Sequence, residues 1–438
     1  MQSRRRRQTR PSTFLTFGLL AAVLVFGSHA LLLTTPWFWD EAGSTIPAAF
    51  EIHDTGQWTT PHAVPLYIAA VWKLTGPSLP AARCAMLLLA SLTLLGAFVL
   101  AVELCGALRG VPAFAAAALL AVSPLFFTQA ILATPAIPLT FCAVYALWLA
   151  LSRRYVLAAL AAALFLLVLA WSAPLFSLSA AILSHPIQLS IVLARRLYFL
   201  FIANLHLLGL AGIALAWRAG SLRRRRWAIA GAFSLAWLIL SCFRTHILER
   251  DLLPILPIFY TAAIVGFHSL SPKLNVLATG ALIAGLISGL FINPPFWPFP
   301  YENNLALADF TRLQQQTANW LSEKAPHKAI ATAWPLSDAL TRPRLGYVGR
   351  RLLVLRLPDL SAETVQQIPK DTIDIFVRYS RDWDPPRTLL TNKYVRYAAR
   401  YYFGYRPTAS PEEIEQRLGL HLLMAWERGG QWVELYGR

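Results

Sequence analysis

Nine apolar runs follow one another along the first two thirds of the chain, near 14–33, 82–104, 111–129, 137–151, 155–171, 197–217, 227–243, 253–270 and 274–292. Breaks bearing Pro or Gly separate them. About 20 apolar residues at a rise of 1.5 Å each cross the hydrocarbon core of a bilayer as one helix. No water is available there to satisfy open backbone, so helices and closed barrels are the only spanning structures. Of the 438 residues 56% are hydrophobic and 14% charged, with a mean hydropathy of +0.50, too apolar for an ordinary soluble domain. The expected fold is a polytopic α-helical membrane protein of about nine spans, with residues 14–292 as its membrane domain. A cleaved signal peptide is the rival reading of the first run. That run is longer than a signal h-region and further runs follow, which favours a retained span.

The basic residues supply an orientation. Arg4, Arg5, Arg6, Arg7 and Arg10 lie in the tail 1–13, and arginines beside a first span stay cytoplasmic. With nine spans counted from that side, Arg109, then Arg153 and Arg154, then Arg223, Arg224, Arg225 and Arg226, then Lys273 all fall in the cytoplasm. Arg195 and Arg196 break the rule. Either their segment holds a re-entrant or interfacial helix, or these two act at the outer headgroup layer as possible substrate contacts. The net charge of +17 and pI near 10.2 are thus a topology and lipid-headgroup signal, and no nucleic-acid partner is expected. Cys84, Cys105, Cys142 and Cys242 fall in or beside apolar runs with no CxxC spacing, as small core residues do.

Beyond Ile292 the character changes. Four prolines between 294 and 300 are interspersed with Phe and Trp, and clustered prolines cannot continue a helix. Residues 293–438 are polar enough for a small soluble α/β domain, extracytoplasmic by the odd span count. Its pattern predicts a helix over 303–323, a strand over 328–333, a helix over 335–342 and extended runs over 351–357 and 374–379. A closing hairpin pairs 422–426 with 431–436 across Gly429-Gly430.

Asp40 and Glu41 stand a few residues beyond the first span, in the outer loop 34–81. Two adjacent carboxylates at a bilayer surface are a candidate catalytic or metal site. Around them a resemblance accumulates. Gly56-Gln57-Trp58, then Thr60-Pro61-His62-Ala63-Val64-Pro65-Leu66-Tyr67-Ile68, resembles the amino-terminal part of the GT-C glycosyltransferases, especially the protein mannosyltransferase, aminoarabinose transferase and Rgt-like group. Trp72-Lys73-Leu74-Thr75-Gly76 and Leu79-Pro80-Ala81-Ala82-Arg83 continue it. Arg250-Asp251-Leu252-Leu253-Pro254 is similar to the segment that opens a late span in that group.

The resemblance implies transfer of a sugar from a polyprenyl-phosphate donor to a lipid, glycan or protein acceptor at the outer face of the cytoplasmic membrane. The chemistry fits the loop independently. Glycosyl transfer needs a carboxylate to activate the acceptor hydroxyl or to stabilise an oxocarbenium-like transition state, and cations to hold the departing phosphate. A lipid donor fixes the reacting bond at the headgroup plane. Asp40 is then a general base or acceptor-orienting carboxylate, or else an acid near a helix N-terminus. Glu41 is a second carboxylate or metal contact, or a solvated loop acid. Lys73 and Arg250 are the expected phosphate contacts; the plainer alternatives are a snorkelling lysine and an arginine that positions a helix end. His62 is a further possible substrate contact. No cofactor is required. Mg²⁺ or Mn²⁺ is compatible with the acidic pair, although one Asp-Glu pair lacks the ligand count of a dedicated site.

In one respect the sequence departs from the family pattern. Members often carry an acid in the outer loop between the third and fourth spans, and 129–138 here has none. Either the first-loop acids suffice, with Glu51 and Asp54 nearby, or activity is lost or its substrate altered. A scaffold or transporter in a surface-polysaccharide system is the competing class. Against a transporter, charges sit at span ends apart from Glu103 and His206, and there is no duplicated half. The orientation is testable: protease added to intact spheroplasts should remove the domain after 293, and its protection there would place Asp40 in the cytoplasm.

Overall fold

The computed structural model describes residues 11–57, 63–106, 110–172, 186–243, 248–293, 302–369, 371–380, 392–403 and 405–438. Each of the nine apolar runs coincides with a helix, a bent pair of helices or a short helix leading into one. Among the described residues Thr13–Leu32, Leu79–Cys105, Glu249–Phe267 and Pro272–Gly289 are long and apolar enough to cross a membrane, and two bent pairs, each taken as one span, raise the number from 4 to 6. The chain is a multi-pass membrane protein. It divides into two compact units, one built from Met1–Leu33, Pro61–Ala63 and Pro80–Gly289, the other from Thr34–Thr60, Val64–Leu79 and Leu290–Arg438.

In the first unit Glu249–Phe267 is the central element, with 94% of its apolar window buried, against 22% for Thr13–Leu32 and 17% for Pro272–Gly289 at the periphery. It meets His206–Arg218 at a pair of glycines. A Cβ built on Gly266 would lie 1.7 Å from the Gly212 carbonyl oxygen, and one on Gly212 would lie 2.7 Å from that of Ala263. The two backbones touch, as small residues allow at membrane helix crossings. Both bends have local causes. Val111–Val122 and Pro124–Ile131 meet at 63°. Pro124 offers no N–H and drives Ser123 into extended backbone (φ −66°, ψ 132°), while the Ser123 hydroxyl caps the second helix through Phe126 N–H. Pro186–Phe201 and Ala203–Arg218 meet at 52°, where Asn204 (φ 55°) and Leu205 (φ 61°) take left-handed backbone. Arg195 and Arg196 thus lie on an arm bent away from the following helix. Glu103 and His206, the two ionisable groups expected inside spans, are both engaged. Glu103 pairs with Arg226 at 2.9 Å, and His206 Nε2 shares a hydrogen bond of 2.9 Å with the Tyr260 hydroxyl.

In the second unit β1 (Ile330–Ala333), β2 (Val354–Leu357), β3 (Ile375–Tyr379), β4 (His421–Arg428) and β5 (Gln431–Gly437) form one sheet in the order β2-β1-β3-β5-β4. β1 runs parallel to β2 and β3, and β5 pairs antiparallel with β3 and β4. Every residue of β1 and β3 is buried, as expected of the sheet centre. Ala306–Lys324 packs on β4 and β5. The strands and the 303–323 helix fall close to where the sequence places them. Ala362–Gln367, Lys393–Phe403 and Pro411–Leu418 are helices the sequence reading leaves out, as are Ile46–Thr55 and Ala63–Thr75 in the outer loop.

Gly266→Ala should destabilise the first unit by about 3 kcal/mol, the upper part of the usual range for overpacking, because its new methyl meets backbone rather than a movable side chain. Gly231, with nothing within 4 Å of its built Cβ, is the control. Thermal unfolding in detergent should separate the two alanine variants, and equal melting temperatures would refute the close crossing.

Candidate functional site

The acidic loop is built by local strain and held by aromatic packing, both within the second unit. Trp39 has φ 28°, a left-handed conformation that costs a non-glycine residue roughly 1–3 kcal/mol and gathers at functional sites. Asp40 follows, and then a single π-helical turn, Glu41–Thr45, runs into the helix Ile46–Thr55. Such turns widen the helix locally and recur at functional positions. Asp40 therefore sits between a reversed backbone angle and a widened turn.

The two carboxylates differ in circumstance. Glu41 is 1% exposed; its Oε2 accepts the Phe38 N–H at 2.8 Å while its own N–H donates to the Phe38 carbonyl at 2.8 Å. It closes the loop on itself. Asp40 is half-buried, and its carbonyl accepts the Ser44 hydroxyl at 3.0 Å. Among the described residues no three His, Cys, Asp or Glu side chains converge, so the pair has no third protein ligand of that kind for a divalent ion.

Four aromatic rings fix the loop from the other side. Trp39 lies 5.5 Å from Trp334 and 6.0 Å from Phe310, and Phe38 meets Phe310 edge-on at 5.7 Å. A Cβ on Gly43 would fall 2.5 Å from Trp334 Nε1, so glycine is needed for this approach. Tyr347 donates its hydroxyl to the Trp37 carbonyl at 2.7 Å, and Arg342 reaches the Gly43 carbonyl at 3.3 Å. Further along, Arg344 hydrogen-bonds Asp54 and stacks 4.4 Å above Phe50. The Arg344 guanidinium, and after it His53, hold the Asp54 carboxyl down at about 2. Phe50 in turn packs on Trp72 at 4.6 Å. Lys73, next to Trp72, is exposed in the last turn of Ala63–Thr75, which Gly76 ends at φ 80°.

Asp40, Glu41 and Lys73 thus belong to one compact unit, and Arg250, Arg195 and Arg196 to the other. His62 lies outside the described residues. Arg250, half-buried, lines a small cleft with Pro135, Ala136, Leu139, Trp237, Asp251 and Pro254. Pro135 and Ala136 come from the outer loop that lacks an acid, where Thr134 donates to Gln129 at 2.6 Å instead. Arg195 pairs with Glu249, and Arg196 with Asp251 at 2.9 Å. Arg83, quoted above only as part of a motif, is 1% exposed and donates to the Ile131 carbonyl at 2.6 Å. Trp334, Phe310, Arg342 and Tyr347 had no signal at all. They stand some 300 residues from the loop they hold, and such a pairing has no period to betray it.

No protein-family model matches the chain, and no curated protein sequence matches it. Solved structures do. The apo crystal structure of ArnT from Cupriavidus metallidurans superposes with a TM-score of 0.51 at 14% identity, covering 97% of this chain and 98% of that one. The same protein bound to undecaprenyl phosphate gives 0.50 at 13%, covering 98% of each. The chain therefore has the ArnT fold over nearly its whole length, the GT-C type of architecture expected from its sequence.

Removing the Glu41 side chain should unsettle the loop. Glu41→Ala leaves a buried Phe38 N–H without its acceptor and should cost about 1–3 kcal/mol, whereas Asp40→Ala should cost less than 1. Tryptophan fluorescence during thermal unfolding would report both, and the reverse ranking would contradict the structural role of Glu41.

Proposed function

We propose that this chain transfers a sugar from a polyprenyl-phosphate-linked donor to an acceptor at the outer face of the cytoplasmic membrane. The amino terminus and the 293–438 domain lie on opposite sides of that membrane in this reading. The observation that carries it is the setting of Asp40. A half-buried carboxylate follows a strained tryptophan at the mouth of a π-turn, in a chain with the fold of a protein solved with undecaprenyl phosphate.

Asp40 takes the proton of the acceptor hydroxyl as its oxygen attacks the anomeric carbon. The bond from that carbon to the donor phosphate oxygen breaks, and polyprenyl phosphate leaves with the electron pair. Lys73, in the same compact unit as Asp40, counters the phosphate charge as it develops, which lowers the barrier only where the cation is already in place. Glu41, buried and bonded to Phe38 N–H, keeps Asp40 in position rather than sharing the proton transfer. This reading assigns no step to a divalent ion, and loss of transfer after EDTA treatment would contradict it.

Asp40→Asn is nearly isosteric and removes only the charge. It should lower transfer by a factor of about 10² to 10⁴ while the protein remains folded and inserted. Lipid-linked sugar supplied to membranes, with release of polyprenyl phosphate as the readout, is the assay. Wild-type turnover by Asp40→Asn would remove it as the base.

A further inference from the structure

The helix Lys393–Phe403, in the second unit, leaves three tyrosines largely exposed: Tyr394 at 72%, Tyr397 at 66% and Tyr401 at 61%. Each residue of an α-helix advances about 100° around its axis, so this i, i+3, i+7 spacing sets the three within about 60° of one another. The Tyr397 and Tyr401 rings stack, with centroids 5.8 Å and planes 11° apart. Lys393, Arg396 and Arg400, all exposed, fall in the adjoining sector, and the Lys393 ammonium lies 5.0 Å from the centre of the Tyr394 ring. Val395, turned away from the tyrosines, is half-buried. The helix therefore carries an aromatic stripe with a basic stripe along its edge.

A tyrosine has an apolar ring and a polar tip, which suits the headgroup layer of a bilayer, apolar at one end and wet at the other. Charge points the same way. Residues 385–411 hold Arg387, Lys393, Arg396, Arg400 and Arg406 and no acid. Two acids from elsewhere approach: Glu363 lies 3.0 Å from Arg400 and 3.5 Å from Arg406, and Asp359 lies 3.6 Å from Arg406. Five basic residues outnumber them, so the fitting partner is an anionic surface. A second copy of the chain is a poor fit, because a two-fold contact through this face would set like charge against like. The chain also brings the lipid with it. Pro272–Gly289 is long and apolar enough to cross a membrane and the second unit begins at Leu290, so the tether makes even a weak affinity for lipid effective.

We propose that Lys393–Phe403 is an interfacial helix: it lies in the headgroup layer of the membrane that the chain spans, with Tyr394, Tyr397 and Tyr401 toward the acyl chains and the basic stripe on anionic headgroups. This docking restrains the second unit at the bilayer surface. It does not rest on the transfer reaction, and it holds whichever side of the membrane carries that unit.

A nitroxide on Tyr397→Cys locates the helix. Cys84→Ala removes the one half-buried native thiol, the other three being buried. The full-length protein would be placed in nanodiscs of phosphatidylcholine, alone or mixed with phosphatidylglycerol, and collisions of the label with oxygen, which concentrates in lipid, compared with those of a water-soluble nickel chelate. In the mixed lipid oxygen should dominate, and Tyr394→Ser with Tyr401→Ser should return the label to water. A basic residue near an anionic surface shifts the docked-to-free ratio about fivefold. Lys393→Gln should therefore lower that ratio about fivefold in the mixed lipid and leave it nearly unchanged in phosphatidylcholine alone. Melting temperatures show that the variants fold; should the double variant not, Tyr394→Ser alone takes its place. A label in water in both lipids overturns the proposal, as does lipid contact that survives loss of the tyrosines or a Lys393→Gln effect equal in both lipids. Dipolar broadening between labels on two copies would assign the face to a dimer, and lipid contact appearing only with an added glycolipid acceptor would make it a substrate site; either result overturns it too.

Discussion

Every break in a membrane helix frees backbone carbonyls and amides where water cannot reach them, and the first unit is organised around satisfying those groups. At the bend, the Ser123 hydroxyl donates to the Leu120 carbonyl at 2.8 Å. Along the helix that follows, His29 Nε2 meets the Phe127 carbonyl at 2.8 Å, and Arg83 caps the carbonyl of Ile131 at its end. At the second bend His206 Nδ1 meets the Phe199 carbonyl at 3.0 Å. Between Ser241 and Asp251, Arg196 and Trp237 together take three carbonyls. Polar residues that look misplaced in apolar runs are therefore the ones that permit bent, interrupted helices. Uninterrupted helices would leave no place for a half-buried arginine such as Arg250.

The acidic loop solves a different problem. Its strain at Trp39 is local and unfavourable, and it persists because groups distant in sequence overdetermine it. The Trp39 ring is wedged against Trp334 and Phe310, Gly43 lets Trp334 approach, and Tyr347 and Arg342 bind loop carbonyls. Glu41 adds a closed hydrogen-bonded ring with Phe38. Adjacent carboxylates that read alike in sequence thus differ in circumstance: Glu41 is buried and closes the backbone, while Asp40 is half-buried beside it.

The sequence by itself determined the membrane class, the approximate position of each apolar helix, the C-terminal hairpin and the presence of a loop with two adjacent acids after the first apolar run. Hydropathy and periodicity are properties of neighbours in the chain, and the bilayer and the sheet impose them along a segment whatever lies elsewhere. Bends and pairings were beyond that reach. Ser123-Pro124 announces a break, yet nothing in it names Arg83 or His29 as partners of carbonyls in the helix that follows. Arg195 and Arg196 stood out as exceptions to a charge rule, and only folding brought them to Glu249 and Asp251. The same holds for Phe310, Trp334 and Tyr347 around Trp39. Which buried polar group meets which, and which of two neighbouring acids is buried, depends on contacts between residues some 50 to 300 positions apart, and those exist only once the chain has packed.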